Sequence, residues 1–324
     1  MTESTTAESA TRAPEPFGRA RRVAVVGAGA IGAVVAEAAH QAGHQVTLCV
    51  RRPLDSITVE REGSRRCLRL PTATAPDAVT SPVDWLLLAT KAQDAPRALG
   101  WIRRLAGAGT TVVALQNGVD HHERVAPLLA LGELLPALVY VSAERVSRDH
   151  VRHRWGRRIV VPAGPAGTAL GRLLAGTEVE VACDPDFTTA AWRKLLTNLA
   201  ANPLTALTLR RIGVLQHPDV RELARGILTE AVAVGRAEGA KLLDTDVDQT
   251  LDFFAAMPPY SGTSMLHDRM AGRSVEHDLI TGALVRAAER HGIATPLNRT
   301  VLALLRALDD AGAVGVQSPL AGVG

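Results

Sequence analysis

The residues best equipped for chemistry in this chain fall on one predicted helix. Lys194, Asn198 and Asn202 stand at i, i+4 and i+8, so they share a face, while Leu195, Leu196 and Leu199 form an apolar stripe on another. An ammonium and two amides in line, on a face bordering a cleft, can hold a small polar molecule. Asparagine is a middling helix former, so its recurrence at this spacing needs a reason. Composition singles out the lysine as well. Of 36 Lys plus Arg, only Lys91, Lys194 and Lys241 are lysines, so 33 are Arg. Arginine effectively never releases its proton, whereas lysine supplies a charge and then a proton, because its pKa falls readily on desolvation. Lys241, beside Gly239 and Ala240 at a helix end, reads as surface.

A second constellation can hold a phosphate. The apolar run Arg22 to Val26 breaks into Gly27-Ala28-Gly29-Ala30-Ile31-Gly32, then continues as an alanine-rich segment to about Gln41 that Gly43 closes. The first glycine permits a tight turn, the second lets backbone approach a pyrophosphate, and the third lets helix and strand pack closely. The helix N-terminus favours the anion. Alone, such a motif is weak evidence. Here it follows a predicted strand, opens a predicted helix and precedes a second strand, Gln45 to Val50, the context that dinucleotide binding requires. The end of that strand selects the cofactor. NAD binders place a carboxylate about 20 residues on, against the ribose 2′-hydroxyl. The sequence there reads Val50-Arg51-Arg52-Pro53, and guanidinium groups match a 2′-phosphate in geometry and charge. The expected cofactor is NADPH/NADP+, in contact with Gly27, Ala28, Gly29, Ala30, Ile31, Gly32 and Arg51 or Arg52.

These residues need two kinds of scaffold. Short alternating pieces near Ile57 to Glu60 and Cys67 to Leu70 read as a hairpin, and Trp85 to Ala89 as a buried strand followed by an amphipathic segment to Leu105. Thr110 to Leu115 is another strand, ending at Gln116-Asn117-Gly118. A β-rich stretch runs from Leu135 to Val161 and ends with Val179 to Ala182. Strands alternating with helical patterns predict an α/β fold, a Rossmann-type doubly wound parallel sheet. After Asp186 only helical patterns remain: Thr188 to Leu209, Val220 to Glu238, Val247 to Ala256 and Val275 to His291. The expected organisation is an NADP-binding domain over 21–185 and an all-α substrate and catalytic domain over 186–310, between a disordered tail at 1–20 and a flexible one at 311–324.

Bulk composition removes several function classes. The 324 residues are 47% hydrophobic and 21% charged, which excludes wholesale disorder. The longest apolar stretch, Leu134 to Val141, is too short to cross a bilayer, and the N-terminal residues lack the apolar core of a secretory signal. Cys49, Cys67 and Cys183 lie far apart with no CxxC spacing, which argues against a zinc site or disulfide framework and fits a reducing cytoplasm. A net charge of +3 gives little support for nucleic acid. Arginine clusters instead between Arg145 and Arg158, read as a solvated hairpin. His121-His122-Glu123 reads as a solvated helix start and not a metal site, since adjacent residues point to different faces. His267 and Asp268 stand beside Ser264-Met265-Leu266, where they either line the cleft or, the favoured reading, lie at the surface. Whether two copies pair is left open.

Together these motifs resemble the ketopantoate reductase (2-dehydropantoate 2-reductase) family, over roughly Arg22 to Leu308. The resemblance is carried by the GAGAIG opening, Arg51, Lys91 in Leu88-Ala89-Thr90-Lys91-Ala92, Gln116-Asn117-Gly118, the helix from Lys194 through Asn202-Pro203-Leu204-Thr205-Ala206, and Ser264-Met265-Leu266 twelve residues before Glu276. It implies NADPH-dependent reduction of 2-dehydropantoate to (R)-pantoate, on the pantothenate route to coenzyme A. It also implies Lys194 and Glu276 as catalytic residues, Asn117, Asn198, Asn202 and Ser264 as substrate contacts, and Arg51, Lys91 and Asn117 as cofactor contacts. The sequence departs from the family at Thr281-Gly282, where an Asn-Gly pair is common, at Pro162, where many members have glycine, and at His277, where an apolar residue is common. These departures leave open a different 2-keto acid of specialised metabolism. Two other readings stand beside it. A β-hydroxyacid dehydrogenase also uses a helical Lys with Asn four residues on, but the Ser264-to-Glu276 pairing argues against it. A non-catalytic NADP-sensing protein would be expected to lose Lys194 or Glu276, and both are present.

Overall fold

The computed structural model describes residues 19–91 and 95–313; the tail expectations for 1–18 and 314–324 lie outside the described residues. Valines and leucines buried on both faces make the first layer, as a central parallel strand requires. In chain order the elements are β1 (Arg22–Val26), α1 (Ala30–Gln41), β2 (Gln45–Cys49), β3 (Ile57–Arg61), β4 (Ser64–Leu68), β5 (Thr72–Ala73), β6 (Trp85–Leu88), α2 (Ala95–Leu105), β7 (Thr111–Ala114), α3 (His121–Val125), β8 (Glu133–Pro136), β9 (Leu138–Arg145), β10 (His150–Pro162), α4 (Pro165–Leu173) and β11 (Glu180–Asp184). Helices follow: α5 (Phe187–Thr208), α6 (Pro218–Ala237), α7 (Thr245–Ala256), α8 (Ser264–Met270), α9 (Thr281–Arg290) and α10 (Pro296–Ala313).

Six strands form a parallel sheet in the order β5-β2-β1-β6-β7-β8, the doubly wound architecture expected. The chain order reverses beside β1, between β2 and β6, and ligands in such sheets bind where that reversal opens a crevice at the strands' carboxyl ends. The glycine turn after β1 and the Thr90-Lys91 loop after β6 therefore meet there.

Four details differ from what the sequence predicts. The later strands do not extend that sheet. They form a second one, ordered β11-β10-β3-β4 with β9 antiparallel to β10. Its attachment is electrostatic as well as apolar: Glu37 of α1, fully buried, receives Arg61 of β3 at 2.8 Å, a partner such a charge needs. The hairpin's second strand is Ser64–Leu68, a few residues early. Helix α4, opened by Pro165 at its first position, was not anticipated within the β-rich stretch. Among the helices, the Val275-to-His291 pattern is only half realised. Helix α9 starts at Thr281, because Val275 N–H donates to Asp309 Oδ1 at 3.0 Å and holds the preceding segment as a loop.

The helical half has its own core, in which Trp192, Leu195, Leu196 and Leu199 of α5 meet Ile227, Leu228 and Ala231 of α6. A small cluster of Leu138, Val160 and Ala191 joins it to the second sheet.

Candidate active site

The glycine turn is shaped for close approach. Gly27 has φ +100°, and a Cβ there would lie 3.0 Å from the Thr90 backbone nitrogen, so a side chain is excluded by both strain and space. A Cβ on Gly32 would meet the Gly27 carbonyl oxygen at 1.8 Å. Gly29 differs: nothing lies within 4 Å of its Cβ direction, and it caps α1 without a side-chain hydrogen bond. The first-turn N–H groups of α1 lack intrahelical acceptors and face that space. Residues of this kind fit the pyrophosphate of a dinucleotide.

Helix α5 presents the polar face expected of it. Lys194 and Asn198 are partly exposed and Asn202 is buried. No side-chain hydrogen bond of Asn198 or Asn202 occurs among the described residues, so both amides can bind another molecule. Lys194 Nζ lies 5.4 Å from the ring centroid of Tyr140 on β9, a cation–π contact between the two halves of the chain. Burial pushes the Lys194 pKa down to about 8, and the negative charge of Glu276 opposes that fall. A lysine titrating there can donate a proton near neutral pH.

Glu276 reaches the site from the loop before α9. Its Oε2 accepts from Asn117 Nδ2 at 3.2 Å, which joins a residue after β7 to one 159 positions on. Burial raises its pKa; Lys91 and the Asn117 bond oppose the rise, while Asp268 adds to it. Lys91 pairs with Asp268 of α8, and Arg273 Nε donates to the other oxygen of that carboxylate at 2.9 Å. Asp268 is buried; its reading as surface is corrected here. A hydrophilic residue reads as exposed from sequence, but two cations from separate segments compensate its burial.

The Asn117 loop is held rigidly. Gln116 Nε2 donates to the Thr90 carbonyl at 2.8 Å, and Arg124 donates to Gln116 Oε1. Asp120 accepts from Arg124 at 3.5 Å and from Arg286 of α9 at 2.8 Å. His121 is the second correction. It is 2% exposed, not a solvated helix start, and its Nε2 donates to the Gln116 carbonyl at 2.8 Å. A carbonyl oxygen only accepts, which fixes the tautomer. Burial holds its pKa down at about 4, so it is neutral. Among the described residues no group of His, Cys, Asp and Glu is arranged to hold a metal.

Ser264 begins α8 and is exposed. The Thr263 hydroxyl caps that helix by accepting from Leu266 N–H at 3.1 Å and meets Thr205 Oγ1 of α5 at 2.7 Å, so Ser264 is presented beside the Asn202 end of α5. No hydrogen bond among the described residues links Ser264 to Asn198, Asn202 or Glu276. Arg51 and Arg52 follow β2, both exposed. His267 is partly buried, and Lys241 is exposed and paired with Asp186 at 3.0 Å. Tyr140 carries no expectation from the sequence. Tyrosine occurs only twice in the chain, a scarcity that was the available signal for Tyr140.

Family-model comparison matches residues 23–166 to "Ketopantoate reductase PanE/ApbA" and 186–309 to its C-terminal counterpart. The chain is 43% identical over 289 residues to the 2-dehydropantoate 2-reductase of Mycobacterium tuberculosis, covering 89% of this chain and 98% of that protein. In structure it is similar to a ketopantoate reductase of Ralstonia eutropha (TM-score 0.82, 30% identity, 90% of this chain and 99% of the other). It is also similar to a dimeric ketopantoate reductase of Staphylococcus aureus (TM-score 0.81, 25% identity, 90% and 99%). With both of its halves matched by the family models and a relative 43% identical over nearly its whole length, the chain belongs to the ketopantoate reductase family.

Proposed function

We propose that the protein reduces 2-dehydropantoate to (R)-pantoate with NADPH, in the cytoplasm. The observation that carries this reading is Lys194. It is a partly buried lysine poised near neutrality, within the electrostatic influence of Glu276, on the helix whose Asn198 and Asn202 side chains make no hydrogen bond among the described residues. In this reading residues 21–185 hold the cofactor and 186–310 bring the catalytic helix.

When bound, NADPH supplies the hydride, and the nicotinamide chemistry belongs to it. Gly27 through Gly32 would hold its pyrophosphate, and Arg51 its 2′-phosphate. Lys91, at the β6 exit, would contact the cofactor. Asn117, Asn198, Asn202 and Ser264 orient the carboxylate and hydroxyl ends of the keto acid. As negative charge builds on the C2 oxygen, the Lys194 ammonium stabilises it and donates the proton. Glu276 accepts from the substrate hydroxyl and keeps the ammonium in place. An arginine at 194 would stabilise the charge without donating.

Departures at Pro162, His277 and Thr281-Gly282 bear on which keto acid is preferred. NADPH oxidation, followed by nicotinamide absorbance, is therefore compared for 2-dehydropantoate and a panel of other 2-keto acids. The reading expects 2-dehydropantoate to give the highest kcat/KM. A higher value for another acid transfers the assignment to that substrate, and no turnover with retained NADPH binding favours a sensor. We also propose a homodimer, on the strength of the dimeric Staphylococcus aureus relative; sedimentation of a 34.2 kDa species would refute it.

A further inference from the structure

Four arginines from three segments gather beyond the carboxyl end of β2. Arg51 follows that strand, Arg145 ends β9, Arg148 lies in the β9–β10 turn, and Arg273 follows α8. The turn is docked onto the Arg51 loop. Arg148 donates to the Pro53 carbonyl, and Thr58 N–H donates to the Asp149 carbonyl at 2.7 Å. Arg145 is folded into the same turn, with Nε on the Ser147 carbonyl at 3.2 Å and Nη2 on the Arg148 carbonyl at 2.6 Å. Its guanidinium thus has a fixed direction and unused N–H donors.

The charges in this cluster are poorly compensated. Among the described residues no ion pair holds Arg51, Arg145 or Arg148, while Arg273 shares Asp268 with Lys91. Arg145 is exposed, yet desolvation by its surroundings and the charges of Arg51, Arg148 and Arg273 press its pKa down, opposed by Asp149. Like charges held together repel, and a bound dianion reverses the sign of that energy. Guanidinium forks suit a phosphate in particular. In this sheet type the cofactor ribose reaches the end of β2, where its 2′-position is read.

We propose that Arg145 and Arg273 join Arg51 in recognising the ribose 2′-phosphate, so that the anion is held by both halves of the chain. The proposal rests on the NADPH reading above. It also gives a role to part of the arginine-rich hairpin: Arg145 and Arg148 belong to the cluster, whereas Arg157 lies further along β10 near Glu178, at 4.0 Å.

The test measures dissociation constants of NADPH and NADH by nicotinamide fluorescence on the full chain, with 2′,5′-ADP and 5′-AMP as competitors. Arg145→Gln and Arg273→Gln are each expected to weaken NADPH and 2′,5′-ADP about tenfold, as loss of a charge-assisted bond does, and to leave NADH and 5′-AMP unchanged. Arg145→Lys, which keeps the charge, is expected to fall between. Arg157→Gln is expected to behave as the parent. If Arg51→Ala weakens NADPH while Arg145→Gln and Arg273→Gln do not, the cluster is refuted and the 2′-phosphate reading stands. If Arg51→Ala also leaves the NADPH-to-NADH ratio unchanged, the NADPH reading falls as well. Equal weakening of both nucleotides, or an equal loss in Arg157→Gln, also overturns the proposal, because such effects do not depend on the 2′-phosphate.

Discussion

Lys194 carries opposing demands. Catalysis wants its pKa near the working pH, and burial supplies that by penalising the ammonium. Loss of the side chain in Lys194→Ala should lower kcat by about 10²- to 10⁴-fold, the usual worth of a general acid, while fluorescence titration shows NADPH still binding. Near-normal turnover would remove Lys194 from the mechanism. Because the donor must be protonated, kcat/KM should fall as pH rises through about 8. The same group affects stability with a definite sign. Its folded pKa of about 8 lies below the ordinary 10.5, so between those values the unfolded chain binds the extra proton and stability rises with pH. Below pH 8 the burial penalty is felt in full. Lys194→Met should therefore raise the melting temperature by several degrees at neutral pH, with the advantage shrinking toward pH 10.5. A lower melting temperature at neutral pH would mean that the Glu276 and Tyr140 contacts outweigh desolvation.

At the scale of elements, the loop between β7 and α3 is the part most exposed to a positioning fault. Asn117 meets Glu276 only if Gln116 stays on Thr90 and Asp120 stays on Arg286. Asp120→Asn keeps the shape but loses the charge that holds Arg286 and Arg124. We expect kcat to fall about tenfold and the keto-acid KM to rise, with little change in NADPH dissociation, since misplacement near the reacting atoms is costly. An equal loss of NADPH affinity in the same titration would mean that the loop supports the whole crevice. The helical signals made α5 legible almost to the residue. The Val275-to-His291 pattern failed because Glu276 lies on a loop that Asp309, far along the chain, holds out of the helix.

The whole molecule is tied across its crevice by Lys91 and Asp268, 177 positions apart. Asp268→Asn leaves Lys91 and Arg273 without their shared carboxylate, so steady-state kinetics should show higher KM for both NADPH and the keto acid, with Asp268→Glu restoring part of the loss. Unchanged constants would make the pair incidental. Sequence by itself determined the sheet class, the glycine turn, the helical second half and the polar face of α5, because periodicity, glycine spacing and i, i+4 geometry are local properties of the chain. Tertiary structure alone decided that β9, β10 and β11 leave the main sheet, that His121 is neutral in the interior, that Tyr140 faces Lys194, and that Asp268 is buried. Each of these depends on a partner distant in sequence, and the burial of a polar group is set by the partners that compensate it rather than by its own hydropathy.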